Sequence, residues 1–267
     1  MPRPFLLGFL VLLIVGSARA EVVPELYHGE AIITGQDNLD ERARGVREAL
    51  TQVLVKVSGD DRIAEHPTLP SILAGADAYV LRYEYADRKK GVQISDEQGT
   101  RDRSFHFRVE FDPAGVHGIL SRLGLDPWHE DRPRLLVILA VTDHAGAFIV
   151  GTEESRGIGH RETLEIDAKR RGLPLVLPKM DTVEALAVSH QEVASTSGAA
   201  VGALAASYRA GAVLAGAMTI SSQGYWTTDW TLLADDVPDR WRVPESTFDR
   251  AISQALGHSA RVLAGVK

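Results

Sequence analysis

Residues 134–141, RLLVILAV, are apolar without alternation. Successive side chains of a strand point to opposite faces, so such a run needs cover on both sides. That is the requirement of a central strand sandwiched between helices. Downstream the sequence supplies the cover. An amphipathic helix over about Glu162 to Arg171 leads through Gly172 into a second buried strand, LPLVLP (173–178). A further helix spans roughly Gly198 to Arg209 and precedes AGAVLAGAMTI (210–220). Gln223-Gly224 marks a tight turn into YWTTDWTLL (225–233). A closing helix over Ser246–Leu263 takes Ser246 as its cap and sets Phe248, Ile252, Leu256 and Leu263 on one side. Residues 134–265 therefore read as an α/β domain whose mixed sheet ends in an antiparallel hairpin.

Upstream the pattern changes. Phe105, Phe107, Val109 and Phe111 alternate with His106, Arg108 and Glu110. Tyr79, Leu81, Tyr83 and Tyr85 alternate in the same way with Arg82 and Glu84. One apolar and one polar face predicts an antiparallel sheet with helices on one side only. Tyr27 to Thr34 reads as a further strand. Leu39, Ala43, Val46, Leu50, Val53, Leu54 and Val57 recur at helical spacing between a cap at Asp37 or Asn38 and a stop at Gly59. Asp112-Pro113 starts a short helix to Leu123. Residues 22–125 are thus an α+β domain, and 126–133, rich in charge and proline, read as the linker. Residues 87–103 are almost wholly polar and read as a long hairpin arm or a mobile loop.

The chain opens MPRPFLLGFLVLLIVGSARA. At about 1.5 Å per residue, Phe5 to Gly16 spans roughly 18 Å as a helix, short of a ~30 Å hydrocarbon core. A basic start and small residues at Ala18 and Ala20 give residues 1–20 the form of a secretory signal cleaved after Ala20. The expected location is the periplasm, with no stable membrane insertion after cleavage. The chain has no cysteine, so it carries no disulfide, thiolate metal site or lipoprotein attachment residue. Losing Arg3 and Arg19 and no acid moves the formal charge from −7 to −9, which argues against nucleic acid as a partner.

VPELYHGEA, REALTQVLVKVSGD, RPRLLVILAV, GLPLVLPKMD and the late tryptophan hairpin, in that order, resemble a domain-of-unknown-function family of exported bacterial proteins. The resemblance implies a periplasmic, cell-envelope role and no established activity. YRAGAVLAGAMTISSQGYWTTDWTLL, with its preceding helix, is similar to a periplasmic domain type. That type is found at the amino terminus of the Tol system's propeller protein, in lipoprotein activators of peptidoglycan synthases and in curli secretion proteins. The likeness implies envelope assembly by protein binding.

Nucleophile-elbow, zincin, Walker and S-x-x-K motifs are absent from the sequence, and no cofactor or metal is expected. Open α/β sheets bind ligands beyond the carboxyl ends of their strands. Asp143 and His144 follow one such strand, Lys179 and Asp181 the next, so the four form a candidate ligand or partner rim. As an enzyme, a hydrolase or metal-dependent one, the protein would use Asp143 and Asp181 there as acid, base or cation ligands. The competing reading has the aspartates capping turns. Trp226 and Trp230 project to one face of their strand and either fill the core or form an aromatic contact surface. The reading preferred from sequence is a non-enzymatic binding or assembly factor with another envelope protein as its partner.

Overall fold

The computed structural model describes residues 20–88, 103–129, 131–181, 193, 199–234 and 237–266. Nearly all of the signal-like segment and of the polar arm at 87–103 lies outside them.

The first unit is built on strands β2 (His28–Thr34), β3 (Val80–Asp87) and β4 (Ser104–Phe111), antiparallel in the order β2-β4-β3. Helix α1 (Leu39–Ser58) covers one face. Asn38 accepts the Glu41 N–H at its start, and Gly59, at φ 73°, ends it in the left-handed turn that glycine adopts without strain. Val46, Leu50, Val53, Leu54 and Val57 are buried against Ile33, Phe105, Phe107 and Phe111. The helix lies very close to β2: a Cβ on Gly29 would meet the Ala49 carbonyl oxygen at 2.2 Å. Helices α2 (Leu69–Leu73) and α3 (Pro113–Arg122) complete this core, α3 capped by Asp112.

In β3 the register slips between Val80 and Arg82, so Val80, not Leu81, pairs at the Phe111 position. Leu81 is left 58% exposed. The expected uniform alternation from Tyr79 to Tyr85 is broken by this bulge, which shifts everything before it by one residue.

The outer edge of β2 is sealed by α1. Gln52 clasps Glu30 twice, accepting from its N–H at 3.0 Å and donating to its carbonyl at 2.6 Å. Lys56 donates to the His28 carbonyl, Arg44 to that of Ile32, and Glu41 accepts the Thr34 N–H. A strand edge that would otherwise invite another strand is thereby closed by side chains.

The second unit has a six-stranded mixed sheet. Its strands are β6 (Leu135–Asp143), β7 (Gly146–Ile149), β8 (Leu175–Val176), β9 (Ala212–Ile220), β10 (Trp226–Leu233) and β11 (Asp239–Ser246). The order is β11-β10-β9-β6-β7, and β8 also pairs with β6. β6 and β9 are parallel and the β9-β10-β11 meander is antiparallel. Helices α4 (Ile158–Arg171) and α6 (Phe248–Leu263) belong to one side, α5 (Ala199–Ser207) to the other. Leu135, Val137, Leu139 and Val141 pack with Trp230 and Ile252, while Leu136, Ile138 and Ala140 pack with Val201 and Leu204. RLLVILAV is apolar throughout because both of its faces are covered.

Three details differ from expectation. LPLVLP contributes only Leu175–Val176 to the ladder, since Pro174 and Pro178 flank it without an N–H to donate. The short strand β7 pairs back onto β6, in a stretch between RLLVILAV and the next helix for which the sequence predicts no strand. Ser246 stays in β11, and Thr247 takes the cap position of α6 without a side-chain bond to the helix's free N–H groups.

Strand β1 (Ala20–Val22) pairs with β5 (Asp131–Pro133), so the start of the first unit is paired with the segment that joins the two sheets. Trp128 and Arg132 in that segment are buried. Among the described residues no helix is long and apolar enough to cross a membrane.

Candidate functional site

Between the two sheets lies a cleft of about 810 Å³. β2 and α1 line it from the first unit, α4 and the Leu173–Leu175 stretch from the second, and Glu21 to Glu25 line it as well. Val22 (61% exposed), Ile32 (46%) and Ile166 (53%) open into it. Three large apolar side chains held in water around one hollow are unusual for a surface that binds nothing.

The cleft's charges are partly spent on each other. Glu30 bonds Arg108 at 3.1 Å from its own sheet and pairs with Lys169 of α4 at 3.5 Å, bridging the units. Burial pushes the Glu30 carboxyl up, but Arg108 and Lys169 outweigh it and hold it below its usual range. Lys56 lies in the cleft wall, donating to the carbonyls of His28 (2.7 Å) and Glu25 (3.3 Å). Its burial, with Lys169 and Arg132 near, lowers its pKa to about 8. Glu21 pairs with Arg134 at 3.0 Å.

Beneath the cleft Arg132 is fully buried, and among the described residues no carboxylate pairs with its guanidinium. It donates to the carbonyls of Lys56, Arg171, Gly172 and His129 at 2.8–3.2 Å and lies 3.9 Å over the Trp128 ring. Those carbonyls include the last ones of α1 and α4, where the helix dipoles are negative. Burial lowers the Arg132 pKa to about 10.

Residues 20–129 match a domain of unknown function (DUF8605). The match takes in the first sheet and one wall of the cleft, while the RPRLLVILAV, GLPLVLPKMD and tryptophan-hairpin segments of the resemblance lie beyond it. No curated protein and no solved structure matches the chain.

All six residues singled out from sequence lie beyond the DUF8605 span. Asp143 ends β6, accepts the Ala145 N–H at 2.8 Å across the hairpin turn and pairs with Arg156 at 2.8 Å. Those two bonds keep its carboxyl below the usual range, which suits a turn cap better than a proton donor at neutral pH. His144 is exposed within that turn. Lys179 and Asp181 run on from β8, beside the chain that follows β7: Thr152 and Glu153 donate to the carbonyls of Pro178 and Lys179. Gly146 is the neighbour of Asp143, while Met180 packs at Gly151. Asp143 thus sits at the β6–β7 turn, and Met180 lies beside Gly151, five residues further along the returning chain than Gly146. Among the described residues no three acidic or histidine side chains gather as a metal cluster would require.

Trp230 is 1% exposed and lies over Gly216, where a Cβ would come within 2.4 Å of its ring. Trp226 is half-buried and packs edge-on against His160, which also stacks on Phe248.

Sequence reasoning did not find the cleft, because its residues come from separate stretches with no common spacing. One signal was readable: Ile166 interrupts the polar face of α4, and Ile32 sits on the polar face of its strand.

Proposed function

We propose that this is an exported, periplasmic protein of the cell envelope that acts by binding another envelope protein, without catalysis. The cleft between the sheets is the binding place, and the occupant is an extended segment bearing apolar and charged side chains. The observation that carries this reading is the convergence of exposed Val22, Ile32 and Ile166 on one hollow whose rim holds both carboxylates and amines. The likeness of the second unit's helix and hairpin to envelope-assembly domains points the same way.

The test is site-specific photo-crosslinking in cells. A photoreactive residue at Ile166 or Ile32 should give a defined adduct, and Ile166→Glu should abolish the adduct formed from position 32. The same probe at His144, outside the cleft, should give none. Adducts that form equally from all three positions, or that survive Ile166→Glu, would overturn the reading. Amino-terminal sequencing of the periplasmic fraction should begin at Glu21.

A further inference from the structure

The two edges of the first sheet are treated differently, and the difference identifies a second interface. The β2 edge is sealed by α1, as described above. At the other end of the sheet, β3 pairs, among the described residues, only with β4.

The phase of the ladder shows which backbone groups this edge presents. On β2 the groups spent on α1 belong to His28, Glu30, Ile32 and Thr34, so Gly29, Ala31 and Ile33 are the residues bonded to β4. Their partners are Val109, Phe107 and Phe105. The intervening residues of β4 must then bond to β3, through Arg82, Glu84 and Ala86. The Arg88 N–H donating to the Ser104 carbonyl fits this phase. The N–H and C=O of Tyr83 and Tyr85 therefore point away from the sheet.

We infer that β3 pairs antiparallel with β3 of a second copy of this chain, about a two-fold axis at Tyr83. In that register Arg82 faces Glu84 of the second copy and Glu84 faces its Arg82. The same face already pairs Arg82 with Glu110 and Glu84 with Arg108 (3.8 Å). Joining two sheets continues the alternation of charge across four strands, with opposite charges directly opposed at every step. Tyr83, 45% exposed, and Leu81 beside it would be covered. Centring on Tyr85 instead would set Arg82 against Arg88 of the second copy, so charge selects the Tyr83 register. This interface is separate from the cleft and stands or falls independently of it.

The chain contains no cysteine, which makes the register directly readable. Opposed hydrogen-bonded residues in an antiparallel pair have Cα atoms about 5.5 Å apart, within disulfide range. Tyr83→Cys should oxidise to a covalent dimer, and Tyr85→Cys, which faces position 81, should remain monomeric. In sedimentation velocity the unmodified protein should reach twice the monomer mass as concentration rises. Tyr83→Pro should lower self-association while leaving far-UV circular dichroism unchanged, because the N–H it removes is not bonded to β4. Glu84→Arg should weaken the dimer about tenfold by opposing like charges, and it decides the matter if Tyr83→Pro misfolds. A protein that stays monomeric throughout, a dimer indifferent to both variants, or equal crosslinking from positions 83 and 85 would overturn the inference.

Discussion

Arg132 donates from Nη2 to the carbonyl oxygen of Lys56 at 2.8 Å, while its Nη1 donates to the carbonyl of Gly172 at the same distance. One guanidinium thereby closes the carboxyl ends of two helices from two different sheets. A helix end leaves carbonyls without partners, and these would be orphaned beneath the cleft if the side chain were lost. Arg132→Met should destabilise the protein by about 3 kcal/mol in urea unfolding, through unpaired buried acceptors. Gly172→Ala should act on the same contact: its φ is +62°, and the added Cβ would lie 2.5 Å from Arg132 Nη1. If Arg132→Met unfolds within about 0.5 kcal/mol of the parent, the staple is unimportant.

A second prediction concerns the core of the other sheet. Trp230 occupies the space above Gly216 on the neighbouring strand. Gly216→Ala should force the indole from its seat and destabilise by about 1–3 kcal/mol, the usual range for overpacking. The near-ultraviolet circular dichroism of the tryptophans should change with it. An unaltered spectrum and melting temperature would mean that the ring is not so confined.

These contacts show what the sequence could and could not disclose. Phe105 to Phe111 and Leu135 to Val141 were legible because a strand's pleat imposes a period of two, or its absence, on the residues themselves. Gly59 and Asp112 were legible because helix ends demand particular chemistry locally. Arg132 was not. Charge and proline make 126–133 read as a linker, yet a buried arginine satisfied by carbonyls has no partner visible in sequence, since carbonyls belong to every residue. The cleft escaped for a related reason: Val22, Ile32 and Ile166 meet only after two sheets have been brought together. The Asp143 rim was inferred from strand ends alone, and what the sequence could not carry is the return strand β7, which turns back from Asp143 and makes it a partner of Ala145 and Arg156.

Lys56 gives the cleft a signature in alkaline solution. Its folded pKa is about 8 against an ordinary 10.5. Between those values the unfolded chain keeps the proton that the folded chain has released, so stability should rise with pH across that window and be lowest below it. After allowance for its partial exposure, the rise attributable to Lys56 is roughly 2 kcal/mol. Urea unfolding at a series of pH values should show this slope, and Lys56→Met should flatten it. Identical slopes for the two proteins would remove Lys56 as its cause.

His160 predicts a dependence of the same sign at lower pH. The ring stands between Phe248, at a centroid distance of 4.7 Å, and Trp226 and Phe148, at 5.5 and 6.3 Å. Its Nε2 is buried without a hydrogen-bond partner among the described residues. Burial holds its pKa below the ordinary histidine value of 6.5, and the charge of Asp143 only partly offsets this. The unfolded chain takes up a proton at that ordinary value while the folded chain resists, so the stability due to the neutral ring is present above it and lost as the pH falls below it. The loss cannot exceed about 1.4 kcal/mol per pH unit for a single site. His160→Phe keeps the aromatic packing and removes the titration, so it should unfold at a higher urea concentration than the parent at pH 5 and at a similar one at pH 8. If both proteins lose stability in parallel between those values, the acid sensitivity belongs to other groups and the His160 ring accepts its proton without leaving the cage.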